Sequence, residues 1–324
     1  MEPKVYLAPL SGITDLSFRL ISRQFGAAHC FYEMLDSKAT LYGSAKNLRL
    51  LKTLKKDSPI AAQLLGADAS IMLDAAQKLI ALTNMEFLDI NAACPAKKVI
   101  KKKAGAYLLQ DTAALGKIIR RLASRLGLPV TVKLRTGFYK EDIKECVKVA
   151  MACEANGAST IFIHGRTVLQ GYSGGVDYGS IKAVKESVKI PVFGSGNIFG
   201  HEMAKKMLDE TGCDGILVAR GALGNPWIFK EIIDYLKSGK APICQSLAAK
   251  KKVLKEHLSF IEHYKEIGPS NKIGFMGKVA MWYLSGVAHA KTVRGSISGV
   301  RSYKELVDVI NKVPAATQCM RYTA

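Results

Sequence analysis

Eight short apolar runs, each followed by a segment long enough for a helix, constrain this chain more than any single motif. The runs fall at residues 5–8, 30–32, 60–64, 87–90, 130–134, 160–163, 191–193 and 215–218. A brief apolar run closed by a turn suits a strand buried on both faces of a parallel sheet. Helical periodicity is clearest over residues 71–82, 112–126, 142–156 and 201–210. Gly127, Gly157 and Gly212 follow three of these segments, where left-handed caps belong. Eight strand–helix alternations predict an α/β chain whose simplest form is a (β/α)8 TIM barrel. An open doubly wound sheet shares the periodicity, but it needs a glycine-rich turn after the first strand, and none is present.

From residue 246 the strand signals stop, and helical periods run over 247–264, 272–284 and 303–313. The reading is a barrel over residues 1–240 and a small all-α C-terminal domain of three or four helices over 241–324. The link lies near Gly239-Lys240-Ala241-Pro242.

Charge narrows the partner. The chain carries 47 Lys and Arg against 27 Asp and Glu, a formal charge of +20. The tail alone has 13 against 5, so it is basic in its own right. Such an excess predicts a polyanionic partner, nucleic acid before membrane, with a solvated basic surface as the plainer alternative. The seven cysteines include no C-x-x-C pair and no zinc-binding spacing, which predicts separate reduced thiols and no metal. No apolar run reaches the ~18 residues of a membrane span, and the first residues lack an apolar signal region. The expectation is a cytoplasmic protein with no membrane partner.

In a barrel the chemistry sits at the C-terminal ends of the strands. The fourth run ends Asp89-Ile90-Asn91-Ala92-Ala93-Cys94-Pro95-Ala96-Lys97-Lys98, which sets a thiol and cations at that rim. The pattern suits proton donation beside a polyanion, while the plainer reading of Cys94 is an inert buried thiol. Gln63, inside the third run, must find buried hydrogen-bond partners. Lys133 sits at alternating register in an apolar strand, which is costly unless its charge is paired, either with an anionic ligand or with a carboxylate such as Asp89. His164-Gly165-Arg166-Thr167 closes the sixth run, as a ligand residue or a core histidine. Gly194-Ser195-Gly196-Asn197 and Ala219-Arg220-Gly221 close the last two, where barrels commonly bind phosphate.

Asn91-x-x-Cys94-Pro95-x-x-Lys98 after a strand resembles the tRNA-dihydrouridine synthases, flavoenzymes that reduce specific uridines in transfer RNA. Further matching pieces follow in order: Ala8-Pro9, Gly12-Ile13-Thr14-Asp15, Gln63, Lys133-Leu134-Arg135-Thr136-Gly137, His164-Gly165-Arg166-Thr167, Gly171-Tyr172 and Gly224-Asn225-Pro226-Trp227. Residues 94–99 are most similar to the bacterial B-type branch. The resemblance covers most of the chain. It implies FMN lined by Pro9, Leu10, Ser11, Gln63, Lys133, His164, Ser195, Gly196, Asn197, Ala219 and Arg220. It makes Cys94 the proton donor and turns Asn91, Arg166 and Thr167 toward the substrate uracil. Lys97 and Lys98 would hold tRNA phosphates. Two departures stand out: Ser195-Gly196-Asn197 replaces the usual Asn-Gly-Asp, and Ala219 replaces the usual Gly.

The implied reaction adds hydride from reduced FMN to C6 of uracil and a proton from Cys94 to C5. A thiol of ordinary pKa, ~8.5, is mostly protonated at neutral pH and fits that task. The uridine must leave the RNA stack to reach the flavin. NADPH is expected to reduce the flavin from the same pocket, since no dinucleotide fold is visible, and a monomer is expected to clamp one tRNA. Three rival readings remain. They are a barrel flavoenzyme for free pyrimidines, a cofactor-free lyase using Lys133 as Schiff-base former, and a tRNA-binding protein without catalysis.

Overall fold

The computed structural model describes residues 4–287 and 290–314. Nine strands run in parallel: β1 (Lys4–Leu7), β2 (Cys30–Phe31), β3 (Leu35–Asp36), β4 (Ile60–Leu65), β5 (Leu88–Asn91), β6 (Val130–Arg135), β7 (Thr160–His164), β8 (Val192–Ser195) and β9 (Gly215–Val218). β1 pairs with β9 at one side. On the other it meets the residues before β2, where the Leu7 amide donates to His29 O at 2.9 Å and the Ala28 amide to Val5 O at 3.0 Å. The sheet therefore closes into an eight-staved barrel, and every strand ends at the same rim.

The second stave differs from its expected form as one strand over residues 30–32. It is two short strands: β2 pairs with the start of β4 and β3 with its end. Between Phe31↔Ala61 and Leu35↔Leu64, three residues stand opposite two, a bulge that bends the stave and re-aims its side chains. An interrupted apolar run gives a strand signal for its first half only.

Helices fill the crossovers, and their starts follow a common rule. Asp15, Asp68, Asp111, Asp142 and Asp177 each cap a helix by accepting from a backbone N–H in its first turn. The barrel interior is apolar at its lower end, where Phe31, Phe162, Phe193 and Leu217 pack with Tyr6 and Phe87. Polar side chains begin above that plug. The buried carboxylate of Asp57 braces the loop after β1, taking two bonds from Arg19 and a third from Arg23. Arg19 in turn holds Thr14 O at 2.7 Å.

After the helix Ile228–Ser238 the chain runs without regular structure until Ser246 caps the helix Leu247–Tyr264. Pro269–Tyr283, Ala290–Gly299 and Tyr303–Lys312 follow. The second of these four starts three residues earlier than its periodicity suggests, with Pro269 in its first turn. These helices share a core of their own, including Leu254, Leu258, Met276, Leu306 and Ile310. It joins the barrel through Ile21 and Trp227. Gly224 has φ +66°, and a Cβ there would lie 2.3 Å from the Trp282 carbonyl carbon, so only glycine permits the approach. The last ten residues of the expected C-terminal domain lie outside the described residues.

Five cysteines are free thiols. Cys244 is disulfide-bonded, which corrects the expectation of seven separate thiols; spacing along a chain does not report which sulfurs the fold brings together. Among the described residues no helix is long and apolar enough to cross a membrane.

His257 is fully buried between the two cores, 3.2 Å from the Tyr283 hydroxyl. Burial holds its pKa down at about 4. The unfolded chain takes up the proton near pH ~6.5, before the folded protein does, so protons favour unfolding in that window. His257 stability is thus fully present above pH ~6.5 and falls by about 1.4 kcal/mol per pH step toward the folded pKa. Urea unfolding at about pH 7 and about pH 5 should show this loss, and His257→Leu should reduce it, leaving the part that the buried His29 and His164 contribute. Parallel losses in both proteins would contradict the assignment.

Candidate active site

One cavity opens at the rim where the strands end. All eleven residues expected to line a flavin border it: Pro9, Leu10, Ser11, Gln63, Lys133, His164, Ser195, Gly196, Asn197, Ala219 and Arg220. Cys94 and Asn91 border it too. So do Met34, Arg135, Tyr172 and Phe199, which sequence reasoning did not place. Arg135 was within reach, because it stands two residues after Lys133 on the same face of β6. Met34 was not, since its position follows from the bulge in the second stave.

A chain of hydrogen bonds organises the floor. Gln63, Asp89 and Thr131 stand in register across β4, β5 and β6. Asp89 is wholly buried and accepts from Gln63 Nε2 at 2.6 Å and from Thr131 Oγ1 at 2.6 Å. Gln63 Oε1 then accepts from Asn91 Nδ2 at 2.8 Å. Asn91 Oδ1 accepts the backbone amides of Ala93 at 3.1 Å and Cys94 at 2.9 Å. Gln63 thus finds its partners within the protein. Asn91, expected to face substrate, spends its amide on Gln63 and on the turn that carries Cys94. Asn91 Nδ2 also lies 3.2 Å from the Met34 sulfur.

The thiol loop is fixed from its far side as well. The Cys94 carbonyl accepts from the Ala106 amide at 3.1 Å. Gly105 has φ +62°, and a Cβ on it would come within 2.7 Å of Val99 and 2.9 Å of the Cys94 carbonyl oxygen. Arg135 ties the same loop to the next one: its Nε donates to Ala93 O at 2.9 Å, and its Nη1 to Thr167 O at 2.9 Å and Gly171 O at 3.0 Å.

The electrostatics are lopsided. Lys133 makes no hydrogen bond or ion pair among the described residues, and Asp89, its candidate carboxylate, is occupied by Gln63 and Thr131. Burial lowers the Lys133 pKa, Arg135 lowers it further, and Asp89 opposes both. Burial raises that of Asp89 against its two hydrogen bonds and Lys133. Burial and then Lys133, Arg135, Arg166 and Arg220 push His164 down to about 2, so its imidazole is neutral at working pH. Its Nδ1 is buried without a protein partner. Arg220 lies over the Tyr172 ring at 4.9 Å and the Phe199 ring at 5.4 Å. Such a site favours the negative form of whatever it binds.

The phosphate-type loop is shaped by its backbone. Asn197 has φ +49° and Gly196 φ +136°. No protein group accepts from their N–H groups among the described residues. A Cβ on Gly221 would stand 2.0 Å from Ile198 O, so glycine is required where this loop meets the one after β9.

Two residues expected to face substrate lie off the cavity lining. Arg166 and Thr167 are buried and do not border the cavity. Arg166 donates from Nε to Ser173 O at 2.9 Å, and from Nη2 to Gly174 O and to Asn197 Oδ1, the last at 3.0 Å. Thr167 bonds Gln170 at both its amide and its hydroxyl. They hold the loop after β7, a role that strand-end position alone does not separate from substrate contact. Lys97 and Lys98 are exposed on the short helix Lys97–Ile100 beside the cavity. Among the described residues no three His, Cys, Asp or Glu side chains converge as metal ligands.

A family model described as dihydrouridine synthase matches residues 6–318. The chain belongs to the dihydrouridine synthase family. It is 36% identical over 296 residues to the tRNA-dihydrouridine synthase B of Pseudomonas aeruginosa, covering 91% of this chain and 88% of the relative. It is also 36% identical over 299 residues to a probable tRNA-dihydrouridine synthase of Rickettsia conorii, covering 92% and 89%. Among solved structures it is similar to the old yellow enzyme from Trypanosoma cruzi (TM-score 0.54, 8% identity, 76% of this chain and 91% of that one). A morphinone reductase variant gives a TM-score of 0.52 at 13% identity, over 74% of this chain and 87% of that one. At those identities the likeness speaks for the barrel fold alone.

Arg135 is the residue that joins the thiol loop to the loop after β7. Arg135→Lys keeps the charge but cannot span three carbonyls, so about 1–3 kcal/mol of loop ordering is lost. Limited proteolysis should then cut within residues 168–175 faster than in wild type. Unchanged cleavage would show that the loop holds itself.

Proposed function

We propose that this dihydrouridine synthase reduces the C5–C6 double bond of uridines in tRNA, with FMN in the rim cavity and Cys94 as proton donor. The observation that carries the reading is the position of Cys94, on a loop tied by hydrogen bonds, at the edge of a cavity bordered by Lys133, Arg135 and Arg220 and by no carboxylate among the described residues. The relatives are named for acting on tRNA, and the same substrate fits a chain of charge +20.

The cavity suits a flavin on its own features. A flat heterocycle with a polar edge meets Gln63, Lys133 and the unpartnered Nδ1 of His164. A phosphate meets the free amides of Gly196 and Asn197 and the guanidinium of Arg220. Ala219 replaces glycine at the rim without closing the cavity, since it lines the opening rather than crossing it. When bound, the flavin supplies the hydride that no side chain can. Lys133 favours an anionic ring edge, and neutral His164 offers a hydrogen bond without adding charge. The Cys94 thiol gives its proton to C5 as a general acid, and the Asn91 turn holds it there. Tyr172, half exposed beside Arg220 and Arg135, walls the opening through which the base enters.

Lys97, Lys98 and the exposed Lys101, Lys102 and Lys103 lie where tRNA phosphates would pass. The basic residues of 241–324 hold the tRNA body, and binding of this kind weakens steeply with salt. NADPH reduces the flavin from the same opening. The protein works as a monomer in the cytoplasm.

Nucleoside mass analysis of unmodified tRNA after incubation with protein, FMN and NADPH tests this directly. Wild type should add two hydrogens to uridine, and Cys94→Ala should act at least about 100-fold more slowly. Unchanged tRNA alongside reduction of free pyrimidines would replace the substrate. Full activity in the variant would remove Cys94 from its role.

A further inference from the structure

Asp89 belongs to none of the groups that touch the cavity, yet the polarity of the whole floor begins there. A carboxylate only accepts hydrogen bonds. Because Asp89 Oδ2 lies 2.6 Å from the Gln63 amide, Gln63 must turn its NH2 group toward it. Its carbonyl oxygen is then left for Asn91, which must offer its own NH2 at 2.8 Å. That leaves Asn91 Oδ1 facing the amides of Ala93 and Cys94. An amide side chain has no intrinsic preference between its two ends; the network decides. Here each link has one allowed sense, fixed at one end by the Asp89 acceptor and at the other by the backbone N–H donors of Ala93 and Cys94.

We propose that Asp89 is a positioning residue that acts on Cys94 through Gln63 and Asn91, by anchoring the far end of this four-residue hydrogen-bond chain, whose near end the loop amides fix. The inference rests on the reading of Cys94 as proton donor for its purpose, but not for its test. Thr131 also donates to Asp89, at 2.6 Å, on the other oxygen, and lies outside the path to Cys94. With an amide at 89, Gln63 can present either end to it. Asn91 keeps its oxygen on the loop amides, but its NH2 group loses an assured acceptor at Gln63, so the turn is held less tightly and the loop opens more often.

A charge relocation separates anchoring from mere packing. In Asp89→Asn/Gln63→Glu the carboxylate moves one link along. The new carboxylate at 63 accepts from both neighbours, so the Asn91 NH2 group again has an assured acceptor and its Oδ1 is again held firmly on the loop amides. The measurement is the rate at which iodoacetamide alkylates Cys94 in the purified full chain, read by peptide mass with no tRNA present. Cys30, Cys146, Cys153 and Cys213 are buried and serve as internal references for global opening.

Asp89→Asn and Gln63→Met should each raise the Cys94 rate at least about fivefold, the loss of one ordering hydrogen bond. The double variant should return to within about twofold of wild type, a coupling that independent damage would not give. Thr131→Val should leave the rate unchanged. If Asp89→Asn fails to fold, Gln63→Met breaks the same chain with Asp89 intact and carries the test. A rate unmoved by the single variants, or raised equally in the double variant, would overturn the proposal. In single-turnover tRNA reduction the same variants should lower the rate of chemistry while leaving the tRNA concentration dependence unchanged. Normal Cys94 protection with absent tRNA reduction would fault the functional reading and not this one.

Discussion

Closure of the barrel is the constraint on which the site depends. The shared C-terminal edge of parallel strands becomes a single closed rim only if the sheet meets itself, and here the last contacts are two backbone hydrogen bonds between β1 and the residues before β2. Closure brings Ser11, Gln63, Cys94, Lys133, His164, Ser195 and Arg220, from seven separate strand ends, to a single cavity. An open sheet of the same strands would leave its first and last loops far apart. The aromatic plug beneath supports this arrangement by filling the lower interior with Phe31, Phe162 and Phe193, so that the polar floor above rests on packed side chains rather than water.

Above that plug the protein accumulates charge it does not neutralise. Burial, then a lysine and three arginines, depress the His164 imidazole, and the Asp89 carboxylate is committed to Gln63 and Thr131. Several of these cations have structural work: Arg135 and Arg166 grip backbone carbonyls of the surrounding loops. Lys133 makes no such bond. An uncompensated cation at a buried strand position is costly, and an anionic ligand is what offsets it. The loops and the ligand are thus coupled, since the guanidiniums that shape the cavity also set its potential.

Much of this was legible before the fold was known, for physical reasons. Strand ends in a barrel share a rim, so each residue closing an apolar run became a candidate, and the eleven that border the cavity were found this way or through the family resemblance. The loop contacts of Arg166 and Thr167 were not legible, because strand-end position does not say whether a side chain turns outward or grips its own loop. Asn91 was placed correctly on the rim, but its partners were invisible, since hydrogen bonds to Gln63 and to the Cys94 amide join residues whose registers the sequence does not print. The split second stave, and with it Met34, depended on a bulge that interrupts the apolar pattern. The third C-terminal helix, Ala290–Gly299, was hidden because glycine and serine dilute its periodicity. The other three helices, with longer apolar stripes, were clear.

The most direct test of the account is one turnover of the loaded enzyme with its RNA. Flavin-bound protein is reduced under anaerobic conditions, excess NADPH is removed, and unmodified tRNA is mixed in while the visible absorbance of oxidised flavin is followed. The account predicts that the absorbance returns, with one dihydrouridine formed for each flavin reoxidised, and that Cys94→Ala slows both together. Flavin that stays reduced with tRNA but reoxidises with a free pyrimidine would contradict it.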